Sequence, residues 1–213
     1  MRAALLALAA ALTVATTVPA HAIEKPSIGY MQSLEKADRF VFVMEWIDPR
    51  LRAAVEREGL ASPEPFAPFG EDGTLIQISK DRAIKLSGIT ACDDDTPIQY
   101  EDFQGTCRSM AVEGLDIQLR RATVLLCRSF VGNKDRAIQP ATCFTYTNID
   151  GVMIAVDNVE EQLVSGGWVF ASRRSNGERV RPDLREAESI AINMKMGLWS
   201  MRRVPHPMTG REG

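Results

Sequence analysis

Histidine is almost missing from this chain. Of 213 residues only His21 and His206 are histidine, and His206 stands between Pro205 and Pro207 near the C terminus. A Ser-His-Asp or Cys-His nucleophile system has no other imidazole to be built on, so those chemistries find little support. No H-E-x-x-H motif and no glycine-rich phosphate loop occurs. The four cysteines contain no C-x-x-C pair, which argues against a zinc site. Surplus positive charge is also lacking: 25 Lys and Arg face 28 Asp and Glu, a formal net charge of -3. The chain therefore has no global field to gather a polyanion, and composition gives no strong nucleic-acid signal. Beyond the first 22 residues no run is long and apolar enough to span a bilayer, which takes ~20 residues.

What is present starts with a leader. Arg2 supplies a positive charge, Ala3 to Val18 carries no charged residue, Pro19 breaks the run, and Ala20-His21-Ala22 offers a small-x-small cleavage pattern. Residues 1–22 read as a secretory signal, and the periplasm of a Gram-negative cell or the exterior is the expected compartment. An uncleaved anchor is the alternative, though the apolar run is short for one. Cleavage removes Arg2 and no acid, so the mature net charge is about -4. With hydrophobic residues at 45% and charged ones at 25%, the remainder has globular composition and enough length for a real core.

Cys92, Cys107, Cys127 and Cys143 all follow the leader, and an even number in an exported chain argues for two disulfides. Three connectivities are possible in principle. Local geometry favours Cys92–Cys107 across a loop and Cys127–Cys143 across a hairpin, each bond contributing on the order of 2–4 kcal/mol.

Residues 23–68 read as an extension: one or two helices, with Pro49 to Gly59 helical in composition, then a linker marked by Pro63, Pro65 and Pro68. Strands follow. Thr74 to Ile78 and Ala83 to Ile89 alternate around a Lys80-Asp81 turn. Thr106 caps a helix to about Leu119. Val124 to Cys127, Thr142 to Tyr146 and Val152 to Val156 are further strands. Asn158 opens a helix that stops at Gly166-Gly167. Asp183 to Glu186 repeats the capping device, and the next helix aligns Leu184, Ala187, Ile190, Ala191, Met194 and Leu198 on one face.

Several segments carry a family likeness. They are Asp72-Gly73-Thr74-Leu75, Ile84-Lys85-Leu86-Ser87-Gly88-Ile89, Pro140-Ala141-Thr142-Cys143, Leu163-Val164-Ser165-Gly166-Gly167-Trp168, and Glu188 with Ala191 leading to Gly197-Leu198-Trp199. In order and spacing the chain from Phe69 to Trp199 resembles a thermonuclease-like domain, the family similar to staphylococcal nuclease. Its two cysteine pairs also look like those of exported bacterial members. The resemblance implies an α+β fold: a five-stranded OB-type β-barrel with an inserted helix and C-terminal helices, here spanning 69–200. A small helical N-terminal extension precedes it, and residues 201–213 form a tail.

That family's chemistry uses carboxylate-held calcium, a glutamate that activates water, and two arginines that neutralise phosphate charge. Matched position by position, this chain departs from the pattern. In the family's D-G-D-T loop the second aspartate precedes the threonine, and Gly73 stands there. In its R-L-x-G-I-D-x-P-E strand, Lys85 replaces the arginine, Thr90 the aspartate and Asp93 the glutamate. Its Y-G-R turn reads Arg136-Ala137-Ile138, so the arginine position is Ile138. The implied function is a thermonuclease-like domain that has lost catalysis and acts in binding or assembly. The partner is an envelope protein or an oligomeric ligand in the barrel groove, with no cofactor. The alternative is a divergent calcium phosphodiesterase whose site is rebuilt from Asp72 and Asp93, with Glu71, Asp94 and Asp95 nearby and Lys85 and Arg136 as cations. A purely structural role in the envelope is a third reading.

The leader reading has a direct check. Expressed in a Gram-negative host, the full-length chain is expected to yield a periplasmic product beginning at Ile23. Intact-mass measurement of an unprocessed, membrane-bound form would contradict it.

Overall fold

A computed structural model of the protein describes residues 23–92, 95, 97–100 and 103–201. The leader, Asp93, Asp94 and the tail bearing His206 lie outside the described residues. A short helix α1 (Ile28–Ser33) is followed by a hairpin, β1 (Phe40–Asp48) and β2 (Ala53–Ser62), and by a second meander, β3 (Ala67–Phe69), β4 (Asp72–Ser79) and β5 (Arg82–Leu86). The chain then forms β6 (Ile89–Thr90), the small hairpin β7 (Pro97–Tyr100) and β8 (Phe103–Thr106), and the longest helix, α2 (Cys107–Arg121). It finishes with β9 (Val124–Phe130), β10 (Ile138–Ile149), β11 (Met153–Asn158), α3 (Val159–Ser165), β12 (Phe170–Ala171) and α4 (Arg185–Met194).

The fold is mixed α+β, with most strands in one eight-stranded sheet of order β2-β1-β9-β10-β5-β4-β3, to which β11 adds by pairing with β10. The count exceeds five because β1, β2 and β3 join the sheet. β1 runs parallel to β9, from Val41 opposite Val124 to Ile47 opposite Phe130. The segment expected to be a helical extension is therefore mostly strand, and it enters the main sheet. Phe40-Val-Phe-Val-Met-Glu-Trp is a continuous run of strand-forming residues, as befits a strand covered on both faces. Phe42, Met44 and Trp46 face one core cluster, and Val41 and Val43 face the other. The helical composition of Pro49 to Gly59 yields to pairing with β1, which holds β2 in register from Ser62 to Ala53. Pro63 and Pro65 lie between β2 and β3, and Pro68 lies within β3. Residues 63–66 link the two end strands of the sheet, and Phe66 packs edge-on against Phe42 with ring centroids 5.9 Å apart.

The main core lies on the Phe42–Trp46 side. It joins β4 and β5 (Ile76, Ile84, Leu86) to α2 (Ala111, Leu115, Leu119) and α3 (Leu163, Val164). Truncating one such side chain, for example Phe42→Ala, costs about 3–5 kcal/mol in a packed core. The other face is smaller and is covered by α1 through Met31. Cys127 and Cys143 stand opposite each other on β9 and β10, Cα atoms 4.1 Å apart, and form one disulfide. Cys92 pairs with Cys107, the first residue of α2, at 5.7 Å. Thr106 caps α2 by accepting from the Ser109 amide at 3.1 Å, and Asn158 caps α3 by accepting from the Glu161 amide at 3.0 Å.

Helix α4 departs from expectation in two ways. Asp183 does not cap it; Leu184 holds that position without a side-chain bond, and the Asp183 carboxylate accepts from Arg181 instead. The buried stripe is Leu184, Ala187, Glu188 and Ala191, while Ile190 and Met194 face solvent. Periodicity alone could not place a carboxylate in that stripe. Glu188 is tolerated because Arg173 and Arg179 both donate to its Oε2, at 2.8 and 2.9 Å.

Two more acids are buried with arginines. Glu45 accepts from Arg57 at 3.1 Å, from Arg128 at 2.8 Å and from the Tyr30 hydroxyl. Burial opposes its charge, yet these hydrogen bonds outweigh it and hold the carboxyl below its ordinary value. Tyr30, desolvated and bonded to that carboxylate, is pushed up to about 12. Glu160 is the opposite case. Complete burial lifts it to about 7, and the pull of Arg181 at 3.2 Å and of the Cys143 amide at 3.2 Å does not cancel that. A carboxyl raised in the folded state stabilises fully below its unfolded value near 4.5, and the contribution is lost as pH rises to about 7. Each pH unit in that window removes up to about 1.4 kcal/mol. Relative to Glu160→Gln, the wild-type chain is expected to lose stability progressively across that window. Urea denaturation of both proteins across the range checks this, and parallel pH profiles would refute it.

Candidate functional site

The turn Gly70-Glu71 reverses the chain between β3 and β4, with Gly70 at φ 63°, a conformation that costs glycine little. Asp72 then opens β4 with its side chain folded onto its own strand. Its Oδ1 accepts from the Thr74 amide at 2.8 Å and from the Thr74 hydroxyl at 2.6 Å, an Asx-type arrangement. Lys85, opposite Leu75 on β5, reaches across the pair and donates to Asp72 Oδ2 at 3.0 Å and also to Thr74 Oγ1. Thr74 is fully buried, so this trio satisfies a hydroxyl that would otherwise be stranded. Burial penalises the Asp72 charge, but the bonds from Thr74 and Lys85 prevail and hold its carboxyl below the usual value. Any stability it lends is present above its unfolded value and is lost as pH falls through the lower, folded one.

Asp72 and Lys85 line a cleft of about 390 Å³ with Phe69, Glu71, Leu75, Thr90, Ala91, Cys92 and Arg108. Thr90 sits on β6 opposite Phe170 of β12, and its hydroxyl donates to the Ala91 carbonyl at 3.3 Å. Arg108 stands 3.5 Å from Asp95. Its place in the cleft is a consequence of the Cys92–Cys107 bond, which holds the start of α2 against the segment after β6. Its neighbouring cysteine was the only hint of that in the sequence.

The structure therefore brings together Asp72, Lys85 and Thr90 among the sequence candidates, with Gly73 beside them. Asp93 lies outside the described residues. Arg136 is not in this cleft; it lines a separate one with Trp46, Glu58, Asp81 and Arg82. Among the described residues no three His, Cys, Asp or Glu side chains converge as a metal site.

Gly73 explains part of this. A Cβ placed there would stand 2.3 Å from the Ala111 carbonyl carbon and 2.5 Å from the Ala111 Cβ. Helix α2 rests directly on β4 at this point, so the backbone has no room for any side chain. The position that would hold a carboxylate by analogy is sterically closed.

No protein-family model matches the chain, and no curated protein matches it either.

Substituting Gly73→Asp is expected to destabilise the fold by about 1–3 kcal/mol or more through overpacking against α2, and to create no calcium affinity. Urea denaturation and calcium calorimetry read the two effects. A folded Gly73→Asp variant that bound calcium tightly would show that the close approach of α2 is not binding.

Proposed function

We propose that this protein is an exported, thermonuclease-like OB-type domain that has lost nuclease catalysis and acts through binding or assembly in the cell envelope. The reading rests on the state of Asp72. Both of its oxygens are engaged, one by Thr74 and one by the Lys85 ammonium. A hard dication prefers several unencumbered carboxylate oxygens. To recruit Asp72 it must displace a lysine that already neutralises the charge. Neither Gly73 nor Thr90 supplies a replacement carboxylate.

The order of elements is in keeping with an OB-type barrel. Two antiparallel strands (β4, β5) precede a helix (α2), and β10 lies parallel to β5 and antiparallel to β9. The end strands β2 and β3 are consecutive in the chain, so residues 63–66 tie the two edges of the sheet together. In that reading the β1–β2 hairpin is an addition to the OB-type arrangement. A groove on such a scaffold outlives its chemistry, and an envelope protein or an oligomeric ligand is the partner it suits. Two disulfides suit an oxidising compartment, and no described helix is long and apolar enough to cross a membrane.

The experiment is a nuclease assay on protein purified from a nuclease-deficient host. It uses single- and double-stranded DNA and RNA, titrated calcium and a chelator control. No calcium-dependent cleavage is expected, because loss of a single positioned group already costs ~10²–10⁴ in rate. Cleavage that co-purifies with the protein and vanishes in Asp72→Ala or Asp93→Ala would establish the divergent phosphodiesterase instead.

A further inference from the structure

A second cleft, of about 340 Å³, shares no lining residue with the first. Three distant parts of the chain build it: Trp46 and Glu58 on the β1–β2 hairpin, Asp81-Arg82 at the β4–β5 turn, and the segment entering β10. Its charges balance, with Glu58, Asp81 and Asp135 facing Arg82, Lys134 and Arg136. Arg82 pairs with Glu58, and Lys134 pairs outward with Glu56. Gln139 braces the wall, accepting from Arg82 Nε at 3.2 Å and donating to the Lys134 carbonyl at 2.7 Å. Asp81, Asp135 and Arg136 make no ion pair among the described residues. Beneath them Trp46 is fully buried, and its indole N–H has no acceptor among the described residues. A buried donor left unsatisfied costs about 1–3 kcal/mol, so an unpaired one under a cleft asks what completes it.

The lining decides among ligand classes. Apart from buried Trp46, Ala137 is the sole apolar residue among the described ones of the lining, so a peptide finds no pocket there for an anchoring side chain. A phosphate or other anion meets the uncommitted carboxylates of Asp81 and Asp135 against the single uncommitted guanidinium of Arg136. A neutral ligand dense in hydroxyls has no such conflict, because each hydroxyl both donates and accepts. Its protons go to Asp81 and Asp135, and its oxygens accept from Arg136. We infer that this cleft binds a neutral, polyhydroxylated ligand, an oligosaccharide. The inference stands on groups outside the Asp72–Lys85 cleft and holds whether or not that cleft retains catalysis.

The test follows the indole N–H resonances of Trp46, Trp168 and Trp199 in isotope-labelled protein during titration. The probes are neutral β-linked tetrasaccharides of glucose and of N-acetylglucosamine. The Trp46 resonance is expected to move saturably with at least one of them, while Trp168 and Trp199 stay in place. Arg136→Ala and Asp81→Asn, both at exposed positions, should weaken that binding by about tenfold or more with an unchanged thermal midpoint. Absence of a saturable Trp46 shift with either sugar overturns the inference. So does unchanged affinity in both variants. A Trp46 shift produced instead by inorganic phosphate or by an acidic hexapeptide would assign the cleft to a different class of ligand.

Discussion

The main sheet and the two core clusters on its faces are arranged around the burial of β1 on both sides. Alternate residues of a strand point opposite ways. Here the odd set, Val41 and Val43, closes the smaller cluster under α1, and the even set, Phe42, Met44 and Trp46, enters the main core. At ~1.5–3 kcal/mol for each large apolar side chain fully buried, β1 is among the strongest contributors to the fold. It also fixes the neighbours: β9 on one side and β2 on the other take their register from it. Glu45 is the one buried charged side chain of this strand, and Arg57 from β2 and Arg128 from β9 supply its counter-charges. Its ion-pair network thus spans β1 and the two strands that β1 joins.

The two clefts show how similar residue types reach different ends. Around Asp72 the polar groups have found one another: aspartate, threonine and lysine satisfy each other in a closed set, and the glycine beside them is pressed against α2. Around Trp46 the set is left open, with two carboxylates, a guanidinium and an indole N–H lacking partners among the described residues. A self-satisfied cluster stabilises the ground state of the free protein and resists recruitment by a ligand. An unsatisfied one is completed from outside.

Local chemistry was readable where it depended on neighbours in sequence. The caps at Thr106 and Asn158, and the β4–β5 alternation around Lys80-Asp81, are short-range devices, and each has a residue-level signature. The cross-strand position of Cys127 and Cys143 followed from the hairpin pattern between them. The misreadings have one cause, which is tertiary context. Pro49 to Gly59 has helix-forming residues, but they pay less attention to intrinsic preference than to the hydrogen-bonding edge of β1. Ile190 and Met194 fit a helical stripe, yet Glu188 took the buried place because two arginines, 9 and 15 positions away, converge on it. Of the candidate site, Asp72, Lys85 and Thr90 were grouped by the family resemblance; the β4–β5 pairing brings the first two together, whereas Thr90 lies on β6, which pairs with β12. Arg108 depended on a disulfide, and the separation of Arg136 from Asp72 depended on the course of the whole sheet.

The parallel pairing of β1 with β9 has a consequence in time. Val41 meets Val124, a partner about eighty residues further along the chain. At ~5–20 residues per second, a chain made from its N terminus waits about 4–17 s between completing β1 and completing the strand that covers it. During that interval this strongly apolar strand has only β2 beside it, and a lone two-stranded hairpin is marginal in water. The nascent protein therefore passes through a stage in which Phe40 to Ile47 is an adhesive ribbon, a ready substrate for a chaperone that grips extended apolar chain.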